Sequence, residues 1–254
     1  MSNFKSTSRF QDNLHPPHRD YLTYYTVTLT YADISALRDD WLTDNNITFW
    51  QEWLEREVLP KYPEARIELM RPSMAFLLMQ SLDLKGITAN LPDVKKKTHI
   101  FLPINDQKVR GGADSGTHWS LLLVSCIDGV AFHYDSMGGA NFLEAQKCAD
   151  RLGKVLGQAL RFHQMEDTPQ QENSSDCGVY VCILMRHLLI KRLLNANANE
   201  KVSMSMRNKL IDAKGGRKEM LKIIESLRKE GERRRSASPY ARTVSPAGAP
   251  RIVD

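Results

Sequence analysis

The sequence predicts an α/β fold, because short apolar runs of strand length are interspersed with apolar and amphipathic stretches of helical length. Three short runs predict strands, at 98–104, 118–126 and 130–134. The turn signal Asp128-Gly129 separates the last two runs, as expected of a β-hairpin. Residues 141–160 repeat apolar side chains near helical spacing, and the run 178–190 has the length of a buried helix.

The N-terminal part of the chain is predicted to combine one extended segment with helices. Residues 21–29 alternate aromatic, Thr and Val side chains, which is typical of an irregular strand or an extended arm. Helical segments are expected at 30–39, as a short helix or turn, at 45–58 and at 72–82. Asp44 or Asn45 is the candidate N-cap of the second of these helices, and Pro60 ends it.

The remaining elements complete a single domain that is expected to cover 21–230. Residues 162–163 predict another short strand, and apolar spacing predicts a last helix over 211–228. Residues 1–20 are polar and interrupted by Pro, so they are expected to form a disordered leader. Residues 231–254 form a basic tail rich in Ser, Pro and Arg, which lacks the apolar content to pack.

Composition and charge exclude several classes of function. The formal net charge is +5, but residues 231–254 hold five Arg against two acids. The folded part is therefore close to neutral, and no nucleic-acid partner is expected. Neither a membrane-spanning run nor a signal-peptide pattern is present, so no membrane partner is expected. Four Cys without paired spacing fit a reducing compartment, which predicts an intracellular protein of the cytoplasm, the nucleus or both.

Neither a metal site nor a cofactor site is expected. Cys177, Cys182 and His187 are spaced so that a helix turns each by about 140° from the last, and they cannot share a face as metal ligands. The pairs Gly111-Gly112 and Gly138-Gly139 lack the neighbours that a phosphate-binding or dinucleotide-binding loop requires. Any chemistry is therefore expected to come from side chains alone.

Cys177 is the candidate nucleophile, since it starts the predicted buried helix. At a helix N-terminus the backbone N–H groups and the helix dipole favour a thiolate over a thiol. Gln171 lies upstream in a polar loop, where its amide could donate a hydrogen bond to a developing oxyanion. Two plainer interpretations stay open, namely Cys177 as a small buried apolar residue and Gln171 as an ordinary loop amide.

A thiol nucleophile needs an imidazole as general base and a carboxylate or amide to orient that imidazole. His118 stands where a Gly-rich loop meets a predicted strand, and Asp135 follows the strand expected to pair with it. A two-residue turn would place Asp135 opposite Leu122 and too far from His118. We therefore expect a wider loop over 125–128, or an equivalent bulge, with His118 directly opposite Asp135.

These motifs resemble the ubiquitin-like-protein proteases, a family that includes the SUMO/sentrin-specific proteases and the deneddylases. The resemblance rests on GTHWSLL at 116–122, FHYDS at 132–136 and QENSSDCG at 171–178, in the order His, Asp, Gln, Cys. It extends over roughly 21–228. The family fold is α/β, with a central mixed sheet that carries His and Asp and packs against a buried helix with Cys at its N-terminus.

The resemblance implies catalytic roles for four residues: His118 as general base, Asp135 as its orienting partner, Cys177 as nucleophile and Gln171 as oxyanion donor. The implied activity is that of a cysteine isopeptidase that cleaves after the C-terminal Gly-Gly of a ubiquitin-like modifier. No cofactor is implied, and a monomer is expected.

Three further residues are implied to bind the substrate. Trp119 would cover the Gly-Gly tail, while Trp41 and Asp44 match a substrate-binding motif and would hold the tail just upstream. Thr43 stands where the family usually has Asn, so this motif is matched less closely. The plainer alternatives are a packed strand aromatic for Trp119, and a core anchor and helix cap for Trp41 and Asp44.

The stretches 101–106, 118–122 and 132–135 look most like the deneddylase branch, which removes the Nedd/Rub modifier. The implied partners are therefore this modifier and its cullin-type conjugates. Residues 136–139, Ser-Met-Gly-Gly, also occur on the SUMO-specific side, which leaves a SUMO protease as the alternative. An acyltransferase of related fold and a non-catalytic modifier-binding module are the remaining alternatives, distinguished by acyl-CoA turnover and by activity that survives loss of Cys177.

Overall fold

The structure is a computed structural model that describes residues 16–81, 83–107, 116–196 and 202–236. Most of the predicted leader, and the predicted tail after residue 236, lie outside the described residues. The chain divides into two compact units, one of 1–52 with 214–254 and one of 53–213. The single domain expected over 21–230 stays a prediction.

The helices and strands in chain order are β1 (Asp20–Tyr24), β2 (Val27–Thr30), α1 (Tyr31–Asp39), α2 (Asp44–Glu57), β3 (Ile67–Leu69), α3 (Pro72–Gln80), α4 (Leu84–Thr88), β4 (His99–Asn105), β5 (Trp119–Ser125), β6 (Val130–Tyr134), α5 (Phe142–Leu156), β7 (Arg161–Gln164), α6 (Cys177–His187) and α7 (Ala213–Ser236). A π-helical stretch, Leu188–Leu194, continues α6. Short elements such as β3 and α4 show too few residues for a periodic pattern, and the sequence did not predict them. Within the described ranges, no helix is long and apolar enough to cross a membrane.

In the first unit, the segment predicted as one extended arm forms a hairpin. Strands β1 and β2 pair antiparallel with Tyr24 opposite Val27, and Tyr25 adopts a φ of 52° in the turn. The turn carries none of the residues that usually adopt positive φ, so the sequence gives no signal for it. Thr30 and Asp33 then form a capping box at the start of α1.

Helix α2 begins with Thr43 as its cap, and the prediction of Asp44 or Asn45 as N-cap is wrong. The Thr43 hydroxyl accepts a hydrogen bond from the backbone N–H of Asn46 at 3.3 Å. The Asn46 side chain in turn accepts from the backbone N–H of Thr43 at 3.1 Å. This reciprocal pair satisfies two backbone donors, which leaves Asp44 as the first helical residue.

Helix α7 is longer than predicted and reaches Ser236, inside the segment expected to be a tail. Glu230 pairs with Arg233 at 2.6 Å and with Arg234 at 2.8 Å, both at helical spacing. These exposed pairs support the last turns of the helix without apolar burial. The low apolar content of this segment predicted a tail and gave no indication of these pairs.

The second unit is built on a five-stranded mixed sheet of order β3-β4-β5-β6-β7. The central strands β4, β5 and β6 are antiparallel, while β3 and β7 run parallel to their neighbours. Helices α3 and α5 pack together and against the sheet, and α6 packs against β5. This arrangement confirms the predicted mixed sheet with helices.

Burial on both faces explains why the central strands are almost continuously apolar. Leu102 and Leu122 belong to the buried cluster that α3 and α5 share with the sheet. Their strand neighbours Phe101 and Leu121, which point to the opposite face, are also fully buried. The sheet is therefore a rigid base for the residues at the ends of β5 and β6.

Replacing Leu122 by Ala is expected to destabilise the protein by about 2–5 kcal/mol, because it leaves a cavity in this cluster. The matched control is Leu143→Ala, since Leu143 is 72% exposed and its loss should change stability by less than about 0.5 kcal/mol. Urea unfolding measures both variants. Equal stability of the two variants would contradict the assignment of Leu122 to the core.

Candidate active site

Cys177 is the first residue of α6, as predicted, and its side chain is buried. The loop before it is held by Asn173, whose Oδ1 accepts the backbone N–H groups of Ser175 and Asp176, both at 3.0 Å. The Asp176 side chain makes no capping hydrogen bond to the helix. The first-turn N–H groups can therefore favour negative charge at the Cys177 sulfur.

His118 and Asp135 are in contact, with 2.7 Å between His118 Nε2 and Asp135 Oδ1, and both are buried. The contact was expected, but the expected register is wrong by two residues. Ser125 pairs with Val130, so the hairpin loop covers 126–129. The register therefore places Ser120, not His118, opposite Asp135.

The diagonal geometry of the strands explains why the contact forms in this register. Residues 118 and 120 lie on the same face of the strand, so His118 is a diagonal neighbour of Asp135 and within reach of a long side chain. The loop is closed by Ser125, whose Oγ accepts from the Asp128 N–H at 3.3 Å and donates to the Asp128 carboxylate at 2.5 Å. This side-chain closure fixes the loop length, and hairpin spacing alone does not show it.

The backbone at His118 is positioned by the end of β4. Asp106 Oδ1 accepts the N–H of Thr117 at 2.5 Å and that of His118 at 3.0 Å. A Cβ at Gly116 would lie 1.8 Å from Asn105 Oδ1, so any larger residue there would displace the Asn105 side chain. Neither Asp106 nor Gly116 was a predicted site residue, because both act through contacts between distant strand ends.

Asp135 is held as an oriented carboxylate. Its Oδ1 accepts the Met137 N–H and its Oδ2 accepts the Asn141 N–H, both at 2.8 Å. Burial alone would raise the Asp135 pKa, but the hydrogen bonds from His118, Asn141 and Met137 outweigh it and lower the pKa. The side chain therefore stays ionised and can stabilise a protonated imidazole.

The imidazole of His118 has one nitrogen engaged and one available. Burial would lower its pKa, but the hydrogen bonds and charges of Asp135 and Cys177 raise the pKa to about 9. Nε2 faces Asp135, whereas Nδ1 is buried and meets no regular hydrogen-bond partner among the described residues. Cys177 is thus the looser of the two neighbours, as is common for catalytic contacts without substrate.

Gln171 lies where the loop before Cys177 meets the loop after Asp135. Its N–H donates to the Ser136 carbonyl at 3.0 Å, and its Oε1 accepts from the Ser136 hydroxyl at 2.6 Å. Its Nε2 donates to the Asn173 carbonyl at 2.6 Å, which leaves the second N–H of the amide for another acceptor. Gln171 is therefore an ordered amide rather than a freely rotating loop side chain.

A second amide, Gln170, joins the same two loops and was not predicted. Its Nε2 donates to the Asp135 carbonyl at 3.0 Å, and its Oε1 accepts from the Gly138 N–H at 2.7 Å. Tyr180 in α6 donates its hydroxyl to the Gln170 carbonyl at 3.1 Å. Hydrogen bonds through Gln170 thus connect the loop after Asp135 to the helix that begins at Cys177.

The three predicted substrate-binding residues are placed as follows. Trp119 is the first residue of β5, opposite Asn105, and is partly exposed rather than fully packed in the sheet. Trp41 and Asp44 lie in the first unit. Trp41 is 41% exposed, which makes the alternative of a core anchor wrong, and Asp44 is an exposed residue inside α2 rather than its cap.

The chemistry of the site rests on side chains. Among the described residues, no group of three His, Cys, Asp or Glu side chains is placed to hold a metal ion. Sulfur, imidazole and carboxylate come from α6 and from the neighbouring ends of β5 and β6. Such a set can transfer a proton from a thiol to a histidine and stabilise the resulting ion pair.

The family model of the Ulp1 protease family, C-terminal catalytic domain, matches residues 40–215. The chain belongs to this family. The matched residues include His118, Asp135, Gln171 and Cys177 together with Trp41 and Trp119. The family resemblance inferred from the sequence motifs is therefore confirmed.

The chain is similar to two curated relatives and to one solved structure. The chain is 38% identical over 217 residues to NEDD8-specific protease 2 of Schizosaccharomyces pombe, across 84% of this chain and 52% of that protein. It is 32% identical over 166 residues to human sentrin-specific protease 8, across 63% of this chain and 76% of that protein. The chain thus spans about half the length of the first of these relatives.

The solved structure is the C-terminal Ulp1 protease domain in complex with Smt3, the yeast ortholog of SUMO. It has a TM-score of 0.60 at 16% identity, with 89% of this chain and 98% of that chain covered. At this identity the likeness concerns the fold, and it confirms the predicted α/β class.

Proposed function

We propose that the chain is a cysteine isopeptidase that cleaves after the C-terminal Gly-Gly of a Nedd/Rub-type modifier. The observation that carries the proposal is the buried 2.7 Å pair of His118 and Asp135, with Cys177 as the second neighbour of the imidazole. Sulfur, imidazole and carboxylate in this order are the parts that a thiol protease requires. Membership of the Ulp1 family supports the same class of reaction.

The reaction starts from an ion pair in which the Cys177 thiol proton has passed to His118 Nδ1, because a His118 pKa of about 9 keeps the imidazole protonated at neutral pH. The thiolate then attacks the carbonyl carbon of the terminal glycine, and the C=O electrons move to the oxygen to form a tetrahedral oxyanion. The free N–H of the Gln171 amide donates a hydrogen bond to this oxyanion. When the oxyanion collapses, the C–N bond breaks and His118 gives its proton to the departing lysine amine.

Hydrolysis of the resulting thioester repeats the sequence with water as nucleophile. His118 Nδ1 accepts a proton from water as its oxygen attacks the same carbonyl carbon. The C–S bond breaks, and the proton on His118 returns to the Cys177 sulfur. Asp135 stays ionised throughout and stabilises the imidazolium of each half-reaction.

Three exposed side chains are proposed to hold the modifier's tail. Trp119 directly follows His118, and its partly exposed indole is suited to cover a chain that has no side chains at its last two residues. Trp41 and Asp44 are exposed in the first unit, and by the family resemblance they are proposed to contact the tail through an apolar and an acidic side chain. A slot that excludes side chains would select Gly-Gly sterically, and the modifier's folded body would supply most of the affinity.

The proposed partners are a Nedd/Rub-type modifier and its cullin-type conjugates, acted on by a monomer in the cytoplasm, the nucleus or both. The name of one of the two relatives, NEDD8-specific protease 2, supports the choice of modifier. A SUMO-specific protease is the second candidate, because residues 136–139 read Ser-Met-Gly-Gly as on the SUMO-specific side.

The choice of modifier is tested with fluorogenic C-terminal amides of a Nedd/Rub-type modifier, SUMO and ubiquitin. We expect the Nedd/Rub substrate to give the highest kcat/KM, at least about tenfold above SUMO, because a single well-placed contact gives this discrimination. Faster cleavage of SUMO would overturn the choice of modifier but leave the protease class. Turnover of acyl-CoA without cleavage of any of the three amides would instead favour an acyltransferase.

A further inference from the structure

Asn141 occupies the N-cap position of α5 but does not cap it. Asn is among the preferred N-cap residues because its side chain usually accepts a first-turn N–H. Here the Asn141 side chain makes no such hydrogen bond and is fully buried. Although Asn is a preferred capping residue, the Asn141 amide therefore does not bind the first-turn N–H groups of α5.

The Asn141 amide reaches the two strands next to the catalytic pair. Its Nδ2 lies 3.2 Å from the His118 carbonyl, 3.3 Å from the Ile104 carbonyl and 3.2 Å from Ser120 Oγ. An amide nitrogen carries two hydrogens, so these three acceptors share two donors. The side chain therefore ties the backbone of His118 to the start of α5.

The backbone of the same residue holds the other member of the pair. The Asn141 N–H donates to Asp135 Oδ2 at 2.8 Å. One buried residue thus bonds both His118 and Asp135, the first through its side chain and the second through its main chain. Asn141 therefore links the backbone of His118 to the carboxylate of Asp135.

We propose that Asn141 is a positioning residue that fixes His118 and Asp135 in reactive alignment, an inference that rests on the proposed function of this site. It touches neither the substrate nor the sulfur and acts through the two residues that it binds. Misplacement of a catalytic group by about 1 Å costs about 100-fold in rate, so this alignment has a measurable effect.

A buried chain of hydrogen bonds extends from Asn141 to the edge of the sheet. Ser120 Oγ lies 2.8 Å from His133 Nε2, and His133 Nδ1 lies 2.6 Å from Gln164 Oε1. Burial lowers the His133 pKa, so the ring is neutral and each donor finds an acceptor: Asn141 to Ser120, Ser120 to His133, and His133 to Gln164. This chain anchors the Asn141 amide on β7, far from the sulfur.

The test compares Asn141→Ala with Leu143→Ala, a change at an exposed position of the same helix. Asn141→Ala removes the bond to the His118 carbonyl, and we expect kcat to fall about 10–100-fold with KM unchanged within about twofold. Leu143→Ala shortens a side chain of α5 that is 72% exposed and takes no part in the Asn141 contacts, so kcat should change by less than about twofold. Asn141→Ser, which keeps a hydroxyl donor, replaces the Ala variant if that variant does not fold.

Two further measurements separate positioning from a loss of stability. The hydrogen of His118 Nε2 in the short contact with Asp135 should give a far-downfield NMR signal, which Asn141→Ala should weaken or remove without substrate. The alkaline limb of the pH–rate profile should move to lower pH. The charged and titratable groups that face His118 are Asp135, Cys177, His133 and Asp106, and none of these four residues is substituted in this variant.

Unchanged kcat in Asn141→Ala would overturn the inference. A lower kcat with the NMR signal and the alkaline limb unchanged would also overturn it, because the residue would then act through general stability. A wild-type protein that hydrolyses none of the modifier amides would refute the proposed function, whereas the NMR comparison would still report on the alignment of His118 and Asp135.

Discussion

Replacing Cys177 by Ala is expected to lower the hydrolysis of a Nedd/Rub-type amide by at least about 10⁴-fold, because loss of a covalent nucleophile removes the whole route rather than one contact. The side chain is buried at the start of α6, so the smaller Ala fits the same helical position. Binding of the intact modifier, measured by calorimetry, should therefore be retained. The rate is measured with purified protein in single-turnover assays.

The control for this variant is a cysteine that the mechanism does not use. Cys148 in α5 is fully buried, and burial raises the pKa of its thiol to about 12, which leaves almost no thiolate at neutral pH. Cys148→Ala should hydrolyse the substrate at a rate close to that of the unaltered protein. An electrophilic modifier probe should attach only at Cys177. Activity that survives in Cys177→Ala would exclude a thiol mechanism.

The parts of the fold that could be predicted from sequence are those whose signal is local. The central strands are fully buried on both faces, so their apolar runs are unbroken and their limits are clear. The start of α6 at Cys177 is marked by the change from a polar loop to an apolar helix. The short elements β3 and α4 carry no comparable pattern.

In the site, too, some features could be predicted from the local sequence, whereas others depend on contacts between distant residues. His118, Asp135 and Cys177 could be proposed because their residue types suit the reaction and each stands at the end of an element. The hairpin register could not be predicted, because it depends on the side-chain closure of the loop by Ser125 and Asp128. The role of Asn141 could not be predicted either. Its position in the sequence indicates a helix cap, and only the structure shows that its amide makes no capping hydrogen bond.

Replacing Asp135 by Asn is expected to lower kcat/KM by about 10²–10⁴-fold while the fold is kept. Both carboxylate oxygens accept hydrogen bonds: Oδ1 from His118 and Met137, and Oδ2 from Asn141. An amide has only one acceptor oxygen, so in either orientation an N–H group faces another donor. The imidazole then loses its orientation or takes the wrong tautomer, with Nδ1 protonated and unable to accept the thiol proton.

The pH dependence distinguishes this cause from simple loss of structure. The pKa of His118, about 9, lies above its ordinary value because Asp135 and Cys177 outweigh the effect of burial. The imidazolium that protonates the leaving amine is therefore present below about pH 9 and is lost as the pH rises through that value. Without the Asp135 charge the pKa falls, so the alkaline limb of kcat/KM should move from about pH 9 toward lower pH.

The matched control is Asp150→Asn, which changes an exposed carboxylate in α5. This variant should keep both the rate and the alkaline limb of the unaltered protein. If Asp135→Asn retained the alkaline limb near pH 9, the raised pKa would have to come from Cys177 alone. Asp135 would then be a structural carboxylate that holds the backbone of Met137 and Asn141, and the relay would consist of only sulfur and imidazole.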